Sequence, residues 1–143
     1  ASTGWEDDPS VAIAVLSASA AVQRSALCER AVSGLSSRLV VSGGNNLTTL
    51  GHPNFHRTDL AEIFFAMAKA GVGFRPEWCG VLQRLQKVQD GGGRWDRISV
   101  SPSTLGLRET NQPSRWVTLK ATKALLTYAV EAGLPRVFPR PPG

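Results

Sequence analysis

Two histidines and an aspartate lie close together in the segment HPNFHRTD, and side chains of these types bind metal ions. His52, His56 and Asp59 follow the spacing His-x3-His-x2-Asp. Imidazole nitrogens and carboxylate oxygens are common zinc ligands, so a loop that folds back could present all three to one ion. A second interpretation needs no metal: His56 and Asp59 cap the helix that follows, while His52 packs within the loop. Apart from zinc, the sequence predicts no cofactor.

Three arginines in the C-terminal half form a candidate anion site. Arg97, Arg108 and Arg115 could together hold a diphosphate or a nucleic-acid backbone, because guanidinium groups bind phosphate oxygens in pairs of hydrogen bonds. The net charge of +5 is uneven, with −1 over residues 1–74 and +6 over residues 75–143. A basic half attracts anionic partners such as RNA. The alternative is an ordinary solvated surface, since the positive residues do not form a run.

The composition predicts one globular domain. The chain has 143 residues, of which 42% are hydrophobic and 19% charged. No run of 18 apolar residues occurs, so no membrane-spanning helix is expected. Cys28 and Cys79 fall in predicted helices without a framework of paired cysteines, which favours reduced thiols in a cytoplasmic protein.

Five segments of the chain have helical patterns. Asp8, Pro9 and Ser10 begin a helix of small residues, because Asp caps and Pro fits the first turn. An amphipathic helix follows, then a helix that is apolar nearly all round and stops at Gly71, and then a second amphipathic helix. The fifth helix begins at Arg115 and is mostly apolar. Between the last two, residues 97–113 form a long polar connection, which predicts a flap or a hairpin.

The order of these helices predicts a two-layer, all-α array of antiparallel helix pairs. Residues 8–46 and residues 57–95 share one order of helix, helix and glycine turn, which is typical of helical repeats. We therefore expect a single helical-repeat domain over residues 8–132. Residues 1–7 and 133–143 are expected to be loose termini.

A glycine-rich turn after the fourth helix ends in a tryptophan, and this carries a resemblance. LQKVQDGGGRW places Leu85, Gln89, Gly93 and Trp95 in the pattern Leu-x3-Gln, Gly-x-Trp. It resembles the QW motif of the squalene–hopene cyclase and protein prenyltransferase superfamily. With PSRWVTL further on, residues 26–130 resemble the C-terminal repeats of bacterial members without assigned activity. The resemblance implies an arc of an α/α toroid, in which Trp95 packs over Gln89 and shields hydrogen bonds between repeats.

The signature chemistry of that superfamily does not carry over. The acidic motif of the cyclases is Asp-x-Asp-Asp, whereas Glu6, Asp7 and Asp8 follow Trp5, which takes the place of the first Asp. The zinc-binding Asp-x-Cys pair of the prenyltransferases would need a cysteine at Ala61. An arc without its other half would expose its inner surface, so the resemblance implies a protein partner or self-association.

Three functions follow from these observations. The first is a non-catalytic interaction or structural module. The second is binding or processing of an isoprenoid-like lipid in an aromatic cavity, for which core packing is the alternative explanation of the same aromatic residues. The third is an RNA-associated module of a larger assembly. The candidate ligand-binding residues of the second function are His52, Phe55, His56, Asp59, Phe64 and Trp116.

Overall fold

The computed structural model describes residues 4–22, 25–41, 59–89, 94–95 and 115–135. Within these ranges the protein is all-α, as predicted, and no strand occurs. Short 3-10 turns precede the first and fourth helices. The helices are α1 (Pro9–Ala21), α2 (Ser25–Val41), α3 (Leu60–Lys69), α4 (Cys79–Lys87) and α5 (Arg115–Tyr128).

The first helix begins as its sequence predicts. The Asp8 carboxylate accepts hydrogen bonds from the backbone N–H groups of Ser10, at 3.0 Å, and Val11, at 3.4 Å. Pro9 occupies the first helical position, where its missing N–H is not needed. The small side chains of α1 let α2 approach closely, and Ala12, Leu16 and Ser19 are buried. The first two helices therefore form one antiparallel pair.

The third helix is the central element of the core. It contacts each of the other four helices, and its most extensive contact is with α5. Phe65 and Ala68 are half-buried and Lys69 is exposed, so α3 has a narrow solvent-exposed edge that its sequence did not reveal. The buried residues of α3 are Leu60, Ala61, Ile63, Phe64, Ala66 and Met67.

Two glycines end helical segments in the same way. Gly71 follows α3 with φ of +74°, and Val72 N–H donates to the Met67 carbonyl at 3.0 Å. Gly133 has φ of +69°, and Leu134 N–H donates to the Ala129 carbonyl at 2.9 Å. Both are Schellman caps, in which a left-handed glycine lets the last carbonyls find donors. Regular α5 ends at Tyr128, and hydrogen-bonded turns continue to Gly133.

Four aromatic rings from three parts of the chain meet in the core. The ring centroid of Trp78 lies 5.5 Å from that of Tyr128, 5.7 Å from that of Phe64 and 6.3 Å from that of Phe74, all edge to face. Each polar atom in the cluster has a partner: Trp78 Nε1 donates to Ser36 Oγ at 2.9 Å, and the Tyr128 hydroxyl donates to the Val72 carbonyl at 2.8 Å. The cluster ties α2, α3 and α5 together.

Residues Trp5–Asp7, which were expected to belong to a loose terminus, are packed on the domain. Trp5–Asp7 form a 3-10 turn that packs against α2. Arg30 makes an ion pair with Glu6, and its guanidinium lies 5.0 Å from the centroid of the Trp5 ring. Gly34 permits this contact, because a Cβ there would stand 2.5 Å from the backbone oxygen of Glu6. The turn is therefore part of the packed domain and not a loose terminus.

Candidate functional site

Asp59 is the one predicted zinc ligand that lies within the described residues. It is buried at the start of α3, and its Oδ1 accepts a hydrogen bond from the Glu62 backbone N–H at 2.9 Å. This is the capping role that the sequence offers as the alternative to a metal. His52 and His56 lie outside the described residues, and within those residues no group of three or more His, Cys, Asp or Glu could hold a metal ion. The zinc site stays a prediction.

Of the other candidate ligand-binding residues, the structure describes Phe64 and Trp116, which differ in their burial. Phe64 is fully buried in the aromatic cluster, whereas Trp116 is exposed on α5. Phe55 lies outside the described residues, as do Arg97 and Arg108 of the anion site. Arg115 is exposed at the start of α5. The aromatic ligand site and the three-arginine site therefore remain predictions.

Trp95 joins α4 to α5. Its side chain is fully buried, as predicted, and its Nε1 donates to the Leu85 carbonyl at 2.8 Å. Its backbone N–H donates to Thr118 Oγ1 at 3.0 Å. The Leu85 carbonyl lies in the last turn of α4, where its helical donor, Gln89 N–H, bonds to Gln86 instead at 3.1 Å. The indole therefore satisfies a carbonyl that the helix leaves open.

Gln89 and Trp95 also form an isolated antiparallel bridge, which draws the two ends of the glycine-rich turn together. Gly93, the remaining position of the motif, lies outside the described residues. Backbone pairing with Gln89 and the indole bond to Leu85 thus both hold Trp95 against the end of α4. This joint explains why a large aromatic residue follows the glycine-rich segment, and burial of the indole keeps water away from its hydrogen bond to the Leu85 carbonyl.

An apolar stripe lies exposed along α5 and the turn after it. Trp116, Leu119, Leu126 and Val130 are between 46 and 89% exposed. Their spacings of three, seven and four residues place them on one side of a helix. The opposite side packs on the core through Val117, Ala121, Ala124, Leu125 and Tyr128. We call the exposed set, Trp116, Leu119, Leu126 and Val130, the α5 surface.

The charged residues of α5 itself are all positive, and one carboxylate, Glu131, follows Val130 in the turn after the helix. Arg115, Lys120 and Lys123 belong to α5, and Arg115–Tyr128 contains no acidic residue. Lys123 is exposed in the gap between Leu119 and Leu126, on the same side of the helix. Clustered exposed apolar side chains on a small protein mark an interaction site more often than isolated ones do. The α5 surface is thus an apolar strip with positive charge.

A cavity of about 600 Å³ lies between the α1–α2 pair and the turn after α3. Residues Gly71–Arg75 form one wall, and Arg75 makes an ion pair with Glu29 at 2.6 Å. The thiol of Cys28 also lines the cavity and lies 3.0 Å from Ser19 Oγ. The sequence does not predict this cavity. The two glycines at 71 and 73 were the available signal, because side-chain-free positions next to an apolar helix leave space.

No protein-family model, curated protein or solved structure matches the chain. In the described parts of the chain, no helix is both long and apolar enough to cross a membrane.

Proposed function

We propose that the protein is a helical-repeat interaction module, related to the α/α toroids, that binds a partner protein through the α5 surface. The observation that carries this proposal is the row of large apolar side chains left in water on one side of α5. Leu119, Leu126 and Val130 are more than half exposed. Their burial by a partner would remove from water the kind of area that dominates the free energy of association.

The partner we propose is an amphipathic helix with acidic residues beside its apolar stripe. An apolar row at spacings of three, four and seven residues fits the apolar face of another helix. Arg115, Lys120 and Lys123 would then lie near carboxylates of the partner. A second copy of α5 fits less well, because its own cations would face those of the first copy.

The relation to the toroid superfamily is supported by the arrangement of the helices and by Trp95. Helix α3 contacts both α1 and α5, so these three helices follow one another in sequence order, and α2 and α4 pack beside them. Trp95 seals the connection between α4 and α5, which is the place that the resemblance gives to the tryptophan of the motif. In such an arc, a further helix against α5 would continue the row of inner helices.

The test uses two synthetic helical peptides that share a leucine stripe and differ in their flanking residues, glutamate in one and lysine in the other. We expect fluorescence anisotropy to show that the glutamate peptide binds and that the lysine peptide does not. Leu126→Glu should weaken binding of the glutamate peptide at least tenfold, because it places a carboxylate in the apolar contact. Val88→Glu is the matched control, since Val88 is similarly exposed but lies at the end of α4.

Several outcomes would contradict the proposal. Equal loss of binding in the Leu126→Glu and Val88→Glu variants would show that the peptide does not select the α5 surface. A wild-type dimer in sedimentation equilibrium that Leu126→Glu dissociates would replace the acidic partner with a second copy. Competition for α5 by an RNA oligonucleotide, with binding that falls steeply with salt, would favour the RNA-associated alternative.

A further inference from the structure

We propose that the cavity between the α1–α2 pair and the Gly71–Arg75 turn binds an amphiphilic carboxylate of the fatty-acid type. The hydrocarbon chain would lie inside the cavity and the carboxylate would bind the Arg75 guanidinium. The cavity volume, about 600 Å³, is within the range of small-molecule sites. This site is separate from the α5 surface, so the inference stands or falls independently of the proposed function.

The walls of the cavity suit a hydrocarbon chain. Leu16 and Val32 come from the buried faces of α1 and α2, and Val72 and Phe74 pack on the core while keeping part of their surface uncovered. Val72 and Phe74 gain by contact with another apolar group, because they are not fully removed from water in the free protein, whereas Leu16 and Val32 form the buried floor beneath them.

The turn that forms the third wall is built to leave space. Gly71 and Gly73 both line the cavity, and a Cβ atom added to either would meet no atom within 4 Å. At Gly71 the positive φ also favours glycine. Gly73 has no left-handed conformation, so its backbone does not require glycine. Gly73 is therefore the position at which a side chain can be added to fill the cavity without straining the backbone.

Arg75 selects the head group. Its side chain is 28% exposed, while that of Glu29, its partner at 2.6 Å, is 68% exposed. The described bond uses one guanidinium nitrogen, and an arginine carries five N–H donors. Glu29 reaches in from the solvent side, where an ion pair contributes little. A ligand carboxylate held against the apolar wall can therefore take the place of the Glu29 carboxylate and form a better shielded bond.

Substitutions at Arg75 and at Glu29 should change the affinity for a carboxylate ligand in opposite directions. With dodecanoate as the probe and isothermal titration calorimetry as the readout, Arg75→Gln should weaken binding by about tenfold or more. Glu29→Gln should tighten binding by a few-fold, because it removes the competing carboxylate. Dodecanol, which has the same chain without the charge, should bind the wild type more weakly and be insensitive to either substitution. If the site instead prefers a cation, dodecylammonium should bind more tightly than dodecanoate, and the two substitutions should have the reverse effects on its affinity. That result would overturn the proposal.

Adding a side chain to the cavity wall tests its location. Gly73→Met should abolish dodecanoate binding, because the new side chain occupies the space of the ligand. Gly80→Met is the matched control: its Cβ also meets no atom within 4 Å, but it lies on α4 and does not line the cavity. Circular dichroism confirms that both variants fold. Equal binding by the two variants would overturn the proposal, as would the absence of any dodecanoate binding to the wild type.

The two cysteines supply an internal report of occupancy. Both are half-buried; Cys28 lines the cavity, whereas Cys79 lies on α4, where its thiol bonds to the Ala132 carbonyl at 3.3 Å. Dodecanoate should slow the alkylation of Cys28 by N-ethylmaleimide and leave the rate at Cys79 unchanged. Protection of neither thiol at saturating dodecanoate would place the ligand elsewhere and overturn the assignment. Leu126→Glu should leave this protection intact, which separates the test from that of the α5 surface.

Discussion

Replacement of Trp95 by phenylalanine tests whether the indole N–H holds α4 against α5. Phenylalanine keeps an aromatic ring in the buried site but removes the donor that bonds to the Leu85 carbonyl at 2.8 Å. The helical donor for that carbonyl bonds elsewhere, so the substitution leaves a buried acceptor without its described partner. Such a loss costs about 1–3 kcal/mol, and the smaller ring adds a cavity contribution.

Urea unfolding followed by circular dichroism at 222 nm measures this change in the free energy of unfolding. For a protein of this size, with a denaturant slope of about 2 kcal/mol per molar urea, the midpoint should fall by about 0.5–1.5 M. Thr118→Val should also destabilise the protein, by about 1 kcal/mol, because it removes the hydroxyl that accepts the Trp95 backbone N–H at 3.0 Å. Thr118→Ser keeps that hydroxyl and should cost less.

Trp5→Phe is the control, since it makes the same chemical change at a half-buried ring. The aromatic face beneath the Arg30 guanidinium is retained, so the free energy of unfolding should change by less than about 0.5 kcal/mol. If Trp95→Phe were as mild as Trp5→Phe, the hydrogen bond to Leu85 would not hold the joint. The role of Trp95 would then be to fill volume, and Trp95→Ala alone would be severe.

Three further predictions concern titration, packing and capping. Burial, with a smaller contribution from the charge of Glu131, raises the pKa of Tyr128, the only tyrosine, to about 12. Absorbance at 295 nm should therefore show tyrosinate appearing near that pH, and a midpoint at pH 10 would contradict the buried hydroxyl. The contribution of this shift to the free energy of unfolding should be present below pH 10 and lost between pH 10 and 12. Gly34→Ala should displace the Trp5–Asp7 turn, because its Cβ would stand 2.5 Å from the Glu6 oxygen; faster trypsin cleavage at Arg30 than in the wild type is the expected result, and an unchanged rate would refute the close contact. Asp59→Ala should lower the free energy of unfolding by about 0.5–2 kcal/mol through loss of the cap, and Asp59→Asn should lower it less. Stoichiometric zinc in the purified protein that is lost in the Asp59→Asn variant would instead support the metal site.

The starts and stops of helices could be predicted because they depend on neighbouring residues. Asp8 and Pro9 cap α1, Asp59 caps α3 and Gly71 ends it, all through interactions that span at most five residues. The burial of Trp95 could also be predicted, but not its partners. The resemblance implies that Trp95 shields hydrogen bonds between repeats, and the indole and amide of Trp95 themselves donate two hydrogen bonds of the joint.

The features most relevant to function depend on the tertiary arrangement, and the sequence did not reveal them. The fifth helix has apolar residues on two sides, and only the packing of Tyr128 into the aromatic cluster decides which side is covered. Likewise, the cavity brings together Leu16, Cys28 and Gly73, which lie on three separate segments. Local patterns identify an apolar position, but they do not state whether a neighbour, a ligand or water lies against it.

The dependence of α3 on α5 has a consequence for the synthesis of this protein. The ribosome completes α3 before it reaches α5, and α5 is the helix that covers α3 most extensively. At about 5–20 residues per second, several seconds pass during which Phe64 has no Tyr128 to pack against. A chain stalled within that interval would carry an uncovered apolar helix and would be prone to aggregate. Slow codons between α4 and α5 should therefore lower the yield of folded protein more than slow codons placed after residue 135.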